Sequence, residues 1–204
     1  MGSRGEKVVV VGGTGTIGRA VVEQLGRRHE VVTVGARGGQ YQVDIEDIAQ
    51  VRALFEKVGR VDAVVVAAGT LHVGPLAGLT PAHFHVGLNG KLMGQVNVAL
   101  VAQEFLSDGG SITLTSGVDT EYPIRGAVAA STANAAVQGF VRAAAIELPR
   151  GLRINAVSPT VLQESVHLFG DLFTGFEPIE GSRAALSYAR SVDGVETGRI
   201  YRAW

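Results

Sequence analysis

The chain has 204 residues, of which 46% are hydrophobic, and its formal net charge is −1 at pH 7. These values argue against extended disorder and against a nucleic-acid partner. The absence of cysteine excludes disulfides, thiolate catalysis and cysteine-ligated metal. A polar Met1–Lys7 and the lack of a long apolar run predict a cytoplasmic protein with no membrane partner.

The first predicted strand, Val8–Val11, leads directly into a glycine-rich turn and a helix over Arg19–Leu25. The turn has the spacing G-x-G-x-x-G, which allows a tight turn and a close approach of backbone to a pyrophosphate. The helix N-terminus adds free N–H groups for phosphate binding. The residues expected to contact a dinucleotide here are Gly12, Thr14, Gly15, Thr16, Ile17 and Gly18. The alternative is a glycine-rich loop that binds nothing.

Short β-branched runs and helical patterns alternate along the rest of the chain. The further predicted strands are Val31–Val34, Gln42–Asp44, Val61–Ala67, Ser111–Thr115, Leu152–Val157 and Gly198–Tyr201. The further predicted helices are Ile45–Val58, Pro81–Leu106, Gly126–Leu148 and Ser182–Ser191. Repeated βα units predict an α/β fold, a doubly wound parallel sheet of about seven strands with helices on both faces, in a single domain over residues 1–204.

The order of the motifs resembles that of the short-chain dehydrogenase/reductase family over nearly the whole chain. Besides the glycine loop, the resemblance rests on Asp44-Ile45, Ala67-Ala68-Gly69, Ser116, Arg153–Pro159 and Thr197-Gly198-Arg199-Ile200. It implies a Rossmann-type fold and a nicotinamide dinucleotide cofactor. It also implies an adenine contact at Asp44 and further cofactor contacts at Ile45, Ala67, Ala68, Gly69 and Pro159.

The family's usual catalytic residues do not all carry over. Its members hold a Tyr and, four residues later, a Lys on the long helix that begins here near Gly126. Anchoring on Ala135–Phe140, those positions are Ala130 and Asn134, and Asn134 is kept as a cofactor contact. Ser116 fits the catalytic Ser, and the family's catalytic Asn falls on Lys91. Ordinary turnover is therefore expected to be impaired unless another group supplies the proton.

Two side chains are candidates for that proton donor. Lys91 could project into the site, where burial would lower its pKa, and Tyr122 lies on a loop six residues after Ser116. The plainer alternatives are that Lys91 is structural or contacts the cofactor, and that Tyr122 packs in its loop. Asp119 and Glu121 are expected to be solvated loop residues. No metal site is predicted, since His83 and His85 do not face one another on a helix.

The sequence also bears on which dinucleotide is bound and on assembly. No acidic residue follows the second strand, and Arg37 is positioned to meet a 2′-phosphate, which favours NADP over NAD. By resemblance, the helices beginning at Pro81 and near Gly126 would form the interface of a homodimer or homotetramer. The leading hypothesis is an NADP-dependent oxidoreductase acting on a small carbonyl or alcohol. The alternative is a non-catalytic NADP-binding protein, either a redox sensor or an assembly partner.

Overall fold

Seven parallel strands form one sheet in the computed structural model, which describes residues 5–204. The first four residues of the polar Met1–Lys7 segment lie outside that range. The strands are β1 (Lys7–Val11), β2 (Glu30–Gly35), β3 (Tyr41–Gln42), β4 (Val61–Val66), β5 (Leu106–Thr115), β6 (Arg153–Pro159) and β7 (Ile200–Ala203). Their order across the sheet is β3-β2-β1-β4-β5-β6-β7. This confirms the predicted doubly wound parallel sheet.

Helices connect the strands. They are α1 (Thr16–Gly26), α2 (Ile48–Val58), α3 (Pro81–Gly87), α4 (Gly94–Phe105), α5 (Val128–Ala144), α6 (Val166–Phe169) and α7 (Gly181–Asp193). Short 3₁₀ turns lie at Leu76–Gly78, Val118–Thr120 and Gln163–Ser165. Within residues 5–204, none of these helices has the length and apolar character that a membrane span requires.

The sheet is buried on both faces because successive residues of each strand point to opposite sides. In β1, Val9 and Val11 pack in the core cluster of one face, and Val8 and Val10 pack in the cluster of the other. The first cluster receives side chains from α2, α4 and α5, and the second from α1 and α7. The alternation explains why β1 is a continuous valine run.

Several predicted boundaries differ from those of the structure. Helix α2 begins at Ile48 and not at Ile45, because the Asp47 carboxylate caps it by accepting from the N–H groups of Ala49 and Gln50. The predicted continuous helix from Pro81 contains a π-helical segment, Leu88–Met93, between α3 and α4. The predicted strand Ser111–Thr115 begins earlier, at Leu106, and the pairing of this longer β5 with β4 is irregular between Leu106 and Ser111.

Candidate functional site

A crevice opens where the strand order reverses, at the carboxyl ends of β1 and β4. Gly12 follows β1 with a φ of +84°, and its N–H donates to the carbonyl oxygen of Val34 at 2.8 Å. A Cβ at this position would lie 2.5 Å from the carbonyl oxygen of Ala67. Only glycine therefore fits between the two strand ends.

The other residues of the turn divide into packing and exposed positions. A Cβ on Gly18 would overlap the carbonyl oxygen of Gly12, so Gly18 lets α1 pack closely against the turn. Gly15 is exposed, precedes α1, and would place a Cβ 3.3 Å from the same oxygen. Thr14 packs on Gly35, since a Cβ added to Gly35 would lie 2.5 Å from Thr14 Oγ1. The turn thus leaves the start of α1 open beside the crevice.

A first cleft of about 470 Å³ lies over β1, β2 and the segment before α2. The predicted cofactor residues that line it are Gly12, Arg37, Asp44, Ile45, Ala68 and Gly69. Arg37 is exposed and forms no ion pair within residues 5–204. The carbonyl oxygen of Ile45 accepts from the buried Asn97 side chain at 3.0 Å, which fixes this wall of the cleft.

A second cleft of about 420 Å³ shares Gly69 with the first. The predicted site residues that line it are Thr16, Ile17, Ala67, Gly69, Ser116, Asn134 and Pro159. Ala130 lines it too, and much of the remaining wall is apolar, with Leu71, Ile124, Leu172 and Phe173. Of the predicted cofactor residues, only Thr14, Gly15 and Gly18 lie outside the lining of both clefts.

Ser116 is placed in the second cleft by the end of β5, but its hydroxyl is already engaged. It is 4% exposed, donates to the carbonyl oxygen of Asn134 at 3.2 Å, and accepts from Gln138 Nε2 at 3.0 Å. One lone pair of its oxygen remains unused. To donate to a ligand, the hydroxyl would have to turn away from Asn134.

Asp119 was missed as a site residue, and the prediction that it is solvated was wrong. The 3₁₀ turn Val118–Thr120 directs it inward, where it is 8% exposed. It is the one charged side chain among the described residues that line the second cleft. Burial raises the pKa of its carboxyl, against the opposing effects of its hydrogen bonds and of Lys91. Glu121 is exposed, as expected, and pairs with Arg202 at 2.6 Å.

Lys91 lies on the π-helical segment and is 7% exposed. Its side chain runs across Gly69, where a Cβ would lie 2.6 Å from Lys91 Cδ. Burial lowers the pKa of the ammonium group from its ordinary 10.5 to about 8, and the charge of Asp119 opposes this shift. Lys91 is therefore a buried amine that packs against Gly69, the residue that the two clefts share. Its pKa of about 8 lies close to neutral pH.

Tyr122 does not line either cleft. It is 54% exposed, and its ring packs edge-on against those of Phe176 and Trp204 at centroid distances of 6.4 and 6.0 Å. No tyrosine among the described residues lines the second cleft. The geometry thus places Ser116 on the second cleft and Lys91 behind Gly69, outside the lining of both clefts, and leaves Tyr122 on the outer wall.

The sequence matches the family model described as enoyl-(acyl carrier protein) reductase over residues 2–190. It is 27% identical over 179 residues to hydroxynaphthalene reductase from Aspergillus fumigatus. The aligned region covers 76% of this chain and 66% of that protein. It is 32% identical over 185 residues to tetrahydroxynaphthalene reductase from Pestalotiopsis fici. The aligned region covers 77% of this chain and 66% of that protein. The chain therefore spans slightly less than two thirds of these relatives.

Solved structures match the fold over almost its full length. A protein of Listeria innocua is 42% identical, with a TM-score of 0.95 and coverage of 98% of this chain and 100% of that one. A small-chain dehydrogenase in complex with NADPH is 26% identical, with a TM-score of 0.86 and coverage of 97% and 96%.

Proposed function

Because this chain belongs to the short-chain dehydrogenase/reductase family, we propose that it is an NADP-dependent oxidoreductase acting on a small carbonyl compound or alcohol. The observation that carries the proposal is the pair of clefts that meet at Gly69 along the switch point of the sheet. One cleft holds Arg37 at its polar end, and the other has a largely apolar wall beside Ser116. This arrangement suits a dinucleotide in the first cleft and a small apolar substrate at the end of the second.

The residues present fit the cofactor. Gly12 lets the ends of β1 and β4 approach closely beside the first cleft, and the buried Asn134 Oδ1 atom has no hydrogen-bond partner within residues 5–204. Arg37 is exposed and forms no ion pair within residues 5–204, so its charge is suited to a 2′-phosphate. The NADPH complex of a similar dehydrogenase supports the choice of NADP. When bound, the cofactor supplies the hydride for reduction of the carbonyl carbon.

The protein's own task in that reaction is to hold the substrate and move a proton. In the proposal, Ser116 turns its hydroxyl from the Asn134 carbonyl toward the substrate oxygen. Lys91 supplies the proton, because a pKa of about 8 leaves a useful fraction of the amine in each protonation state near neutrality. The apolar wall, including Leu172 and Phe173, excludes water from the substrate. The names of the two fungal relatives support the reductive direction.

The test is hydride transfer from NADPH across a panel of aliphatic and aromatic ketones and aldehydes, followed at 340 nm. Ser116→Ala and Lys91→Met should each lower kcat by about 10²-fold or more with little change in NADPH affinity. Tyr122→Phe is the matched control and should keep wild-type turnover, since that ring lies outside the clefts. A fully active Lys91→Met variant would remove Lys91 from the mechanism.

A second function is a non-catalytic NADP-binding protein, either a redox sensor or an assembly partner. The observations that favour it are that Ala130 and Asn134 line the second cleft where the resemblance places Tyr and Lys, and that the Ser116 hydroxyl is held by the protein. Tight NADPH binding without turnover of any carbonyl in the panel would support this function over the first.

The proposed assembly is a homodimer or homotetramer formed through α4 and α5. A shallow groove of about 370 Å³ lies between these helices, with Leu100 and Phe140 on its lining. Light scattering should give a mass of two or four chains, and Leu100→Glu should lower it. A cytoplasmic location is likewise proposed and is checked by cell fractionation.

A further inference from the structure

Asp119 and Asn134 form a buried pair at the base of the second cleft. Asp119 Oδ1 accepts from Asn134 Nδ2 at 2.9 Å, and Asp119 Oδ2 accepts from Ser131 Oγ at 3.1 Å. A Cβ on Gly117 would lie 2.7 Å from Asp119 Oδ1 and 2.8 Å from Asn134 Nδ2. The glycine therefore leaves the space in which the two side chains meet.

This contact fixes which way the Asn134 carboxamide faces. An ionised carboxylate accepts hydrogen bonds and cannot donate them, so the NH₂ group of the amide must point at Asp119. Burial raises the pKa of the Asp119 carboxyl, and the two donors around it, together with the charge of Lys91, oppose that rise. Asn134 Oδ1 is consequently turned away from Asp119.

Asn134 Oδ1 is a buried acceptor that has no partner within residues 5–204. The residue is 3% exposed and lines the second cleft together with Ser116. An unsatisfied buried polar atom costs about 1–3 kcal/mol, so its persistence calls for a donor supplied from the cleft. The sugar hydroxyls of a dinucleotide that passes from the first cleft into the second are donors of this kind.

We propose that Asp119 is a positioning residue, which holds the Asn134 carboxamide so that Oδ1 accepts a hydroxyl hydrogen from the nicotinamide-side ribose of the bound dinucleotide. The inference rests on the proposed cofactor site, although not on catalytic turnover. A positioning role for Asp119 can be distinguished from a purely structural one. Substitution of Asp119 should weaken only the binding of the nicotinamide half of the ligand, because the adenine half lies in the cleft that contains Arg37.

The experiment compares NADPH with 2′,5′-ADP, which lacks the nicotinamide half, by calorimetric titration. Asp119→Leu should weaken NADPH binding about tenfold, the loss of roughly one hydrogen bond, and leave 2′,5′-ADP affinity within twofold. Glu121→Leu, an exposed acid two residues along, is the matched control and should change neither affinity.

A second experiment exchanges the residue types of Asp119 and Asn134. Asn134→Asp places two carboxylates together and should weaken NADPH binding by more than tenfold. Adding Asp119→Asn lets the new amide donate to Asp at position 134, whose other oxygen is again available as an acceptor, and should restore affinity to within threefold of wild type.

Unchanged NADPH affinity in Asp119→Leu would overturn the inference. An equal loss for both ligands, or no recovery in the double variant, would overturn it as well. A wild-type protein that binds neither ligand would instead refute the cofactor site itself, and with it the proposed function.

Discussion

Burial of the Lys91 ammonium should make the folded protein less stable than it would be with an apolar side chain. The pKa of Lys91 falls from its ordinary 10.5 to about 8 because the group is removed from water. At about 1.4 kcal/mol for each pKa unit, the charged amine costs the native state about 3 kcal/mol at pH 7. Lys91→Met keeps the aliphatic chain against Gly69 and should raise the free energy of unfolding by up to that amount.

The gain in the free energy of unfolding that Lys91→Met brings should depend on pH. Between pH 8 and 10.5 the unfolded chain binds more protons at this position than the folded chain does, so the stability of the wild type rises with pH. The advantage of Lys91→Met should therefore shrink from about 3 kcal/mol at pH 7 to about 1 kcal/mol at pH 9.5. Asp119 loses an opposite charge in the variant, which makes these values upper bounds.

Urea unfolding followed by circular dichroism at several pH values measures both quantities. Lys57→Met, on the exposed surface of α2, is the control and should show no comparable gain and no pH-dependent difference from wild type. A Lys91→Met variant of wild-type stability, or one whose advantage does not change with pH, would refute the reasoning. The ammonium group of Lys91 would then be hydrated in the native state, with a folded-state pKa close to that of the unfolded chain.

Further changes probe the clefts. Gly15→Val should abolish dinucleotide binding in calorimetry while the thermal midpoint stays within a few degrees, whereas Gly18→Ala should lower that midpoint markedly, because its Cβ overlaps the turn. Arg37→Asp should shift the preference from NADP toward NAD by removing the phosphate partner and adding a hydroxyl acceptor, and equal wild-type affinities for the two would contradict this. Ala130→Tyr with Asn134→Lys should create or raise carbonyl reductase activity in the NADPH assay, and strong turnover without these changes would indicate that another residue already supplies the proton.

The fold was predictable because its signals are local and repeated. The valine run of β1, the glycine turn after it and the alternation of βα units each specify one step of a doubly wound sheet. The ends of helices were less predictable. Ile45 fits the helical pattern of α2, yet it is Asp47, two residues later, whose carboxylate satisfies the first free N–H groups.

The site was predictable in part. Gly12 and Ser116 directly follow β1 and β5, and Arg37 lies two residues after β2, so all three line the clefts at the carboxyl edge of the sheet. Asp119 was not found, because an acid in a short loop after a strand is usually solvated and its burial depends on contacts with α5. The catalytic roles of Ser116 and Lys91, and the cofactor contacts, stay predictions.

The π-helical segment Leu88–Met93 has a consequence for how this protein can change over evolution. A π-turn closes its hydrogen bonds over one residue more than an α-turn. Deleting a single residue there would restore a regular helix, and because the wider turn had absorbed that residue, α3 would keep nearly the same face toward its neighbours. Gly87 could then still meet Ala133 of α5, whose Cβ lies 3.0 Å from the position of a Cβ on Gly87. Loss of one residue from this segment should therefore be tolerated better than a larger side chain at Gly87.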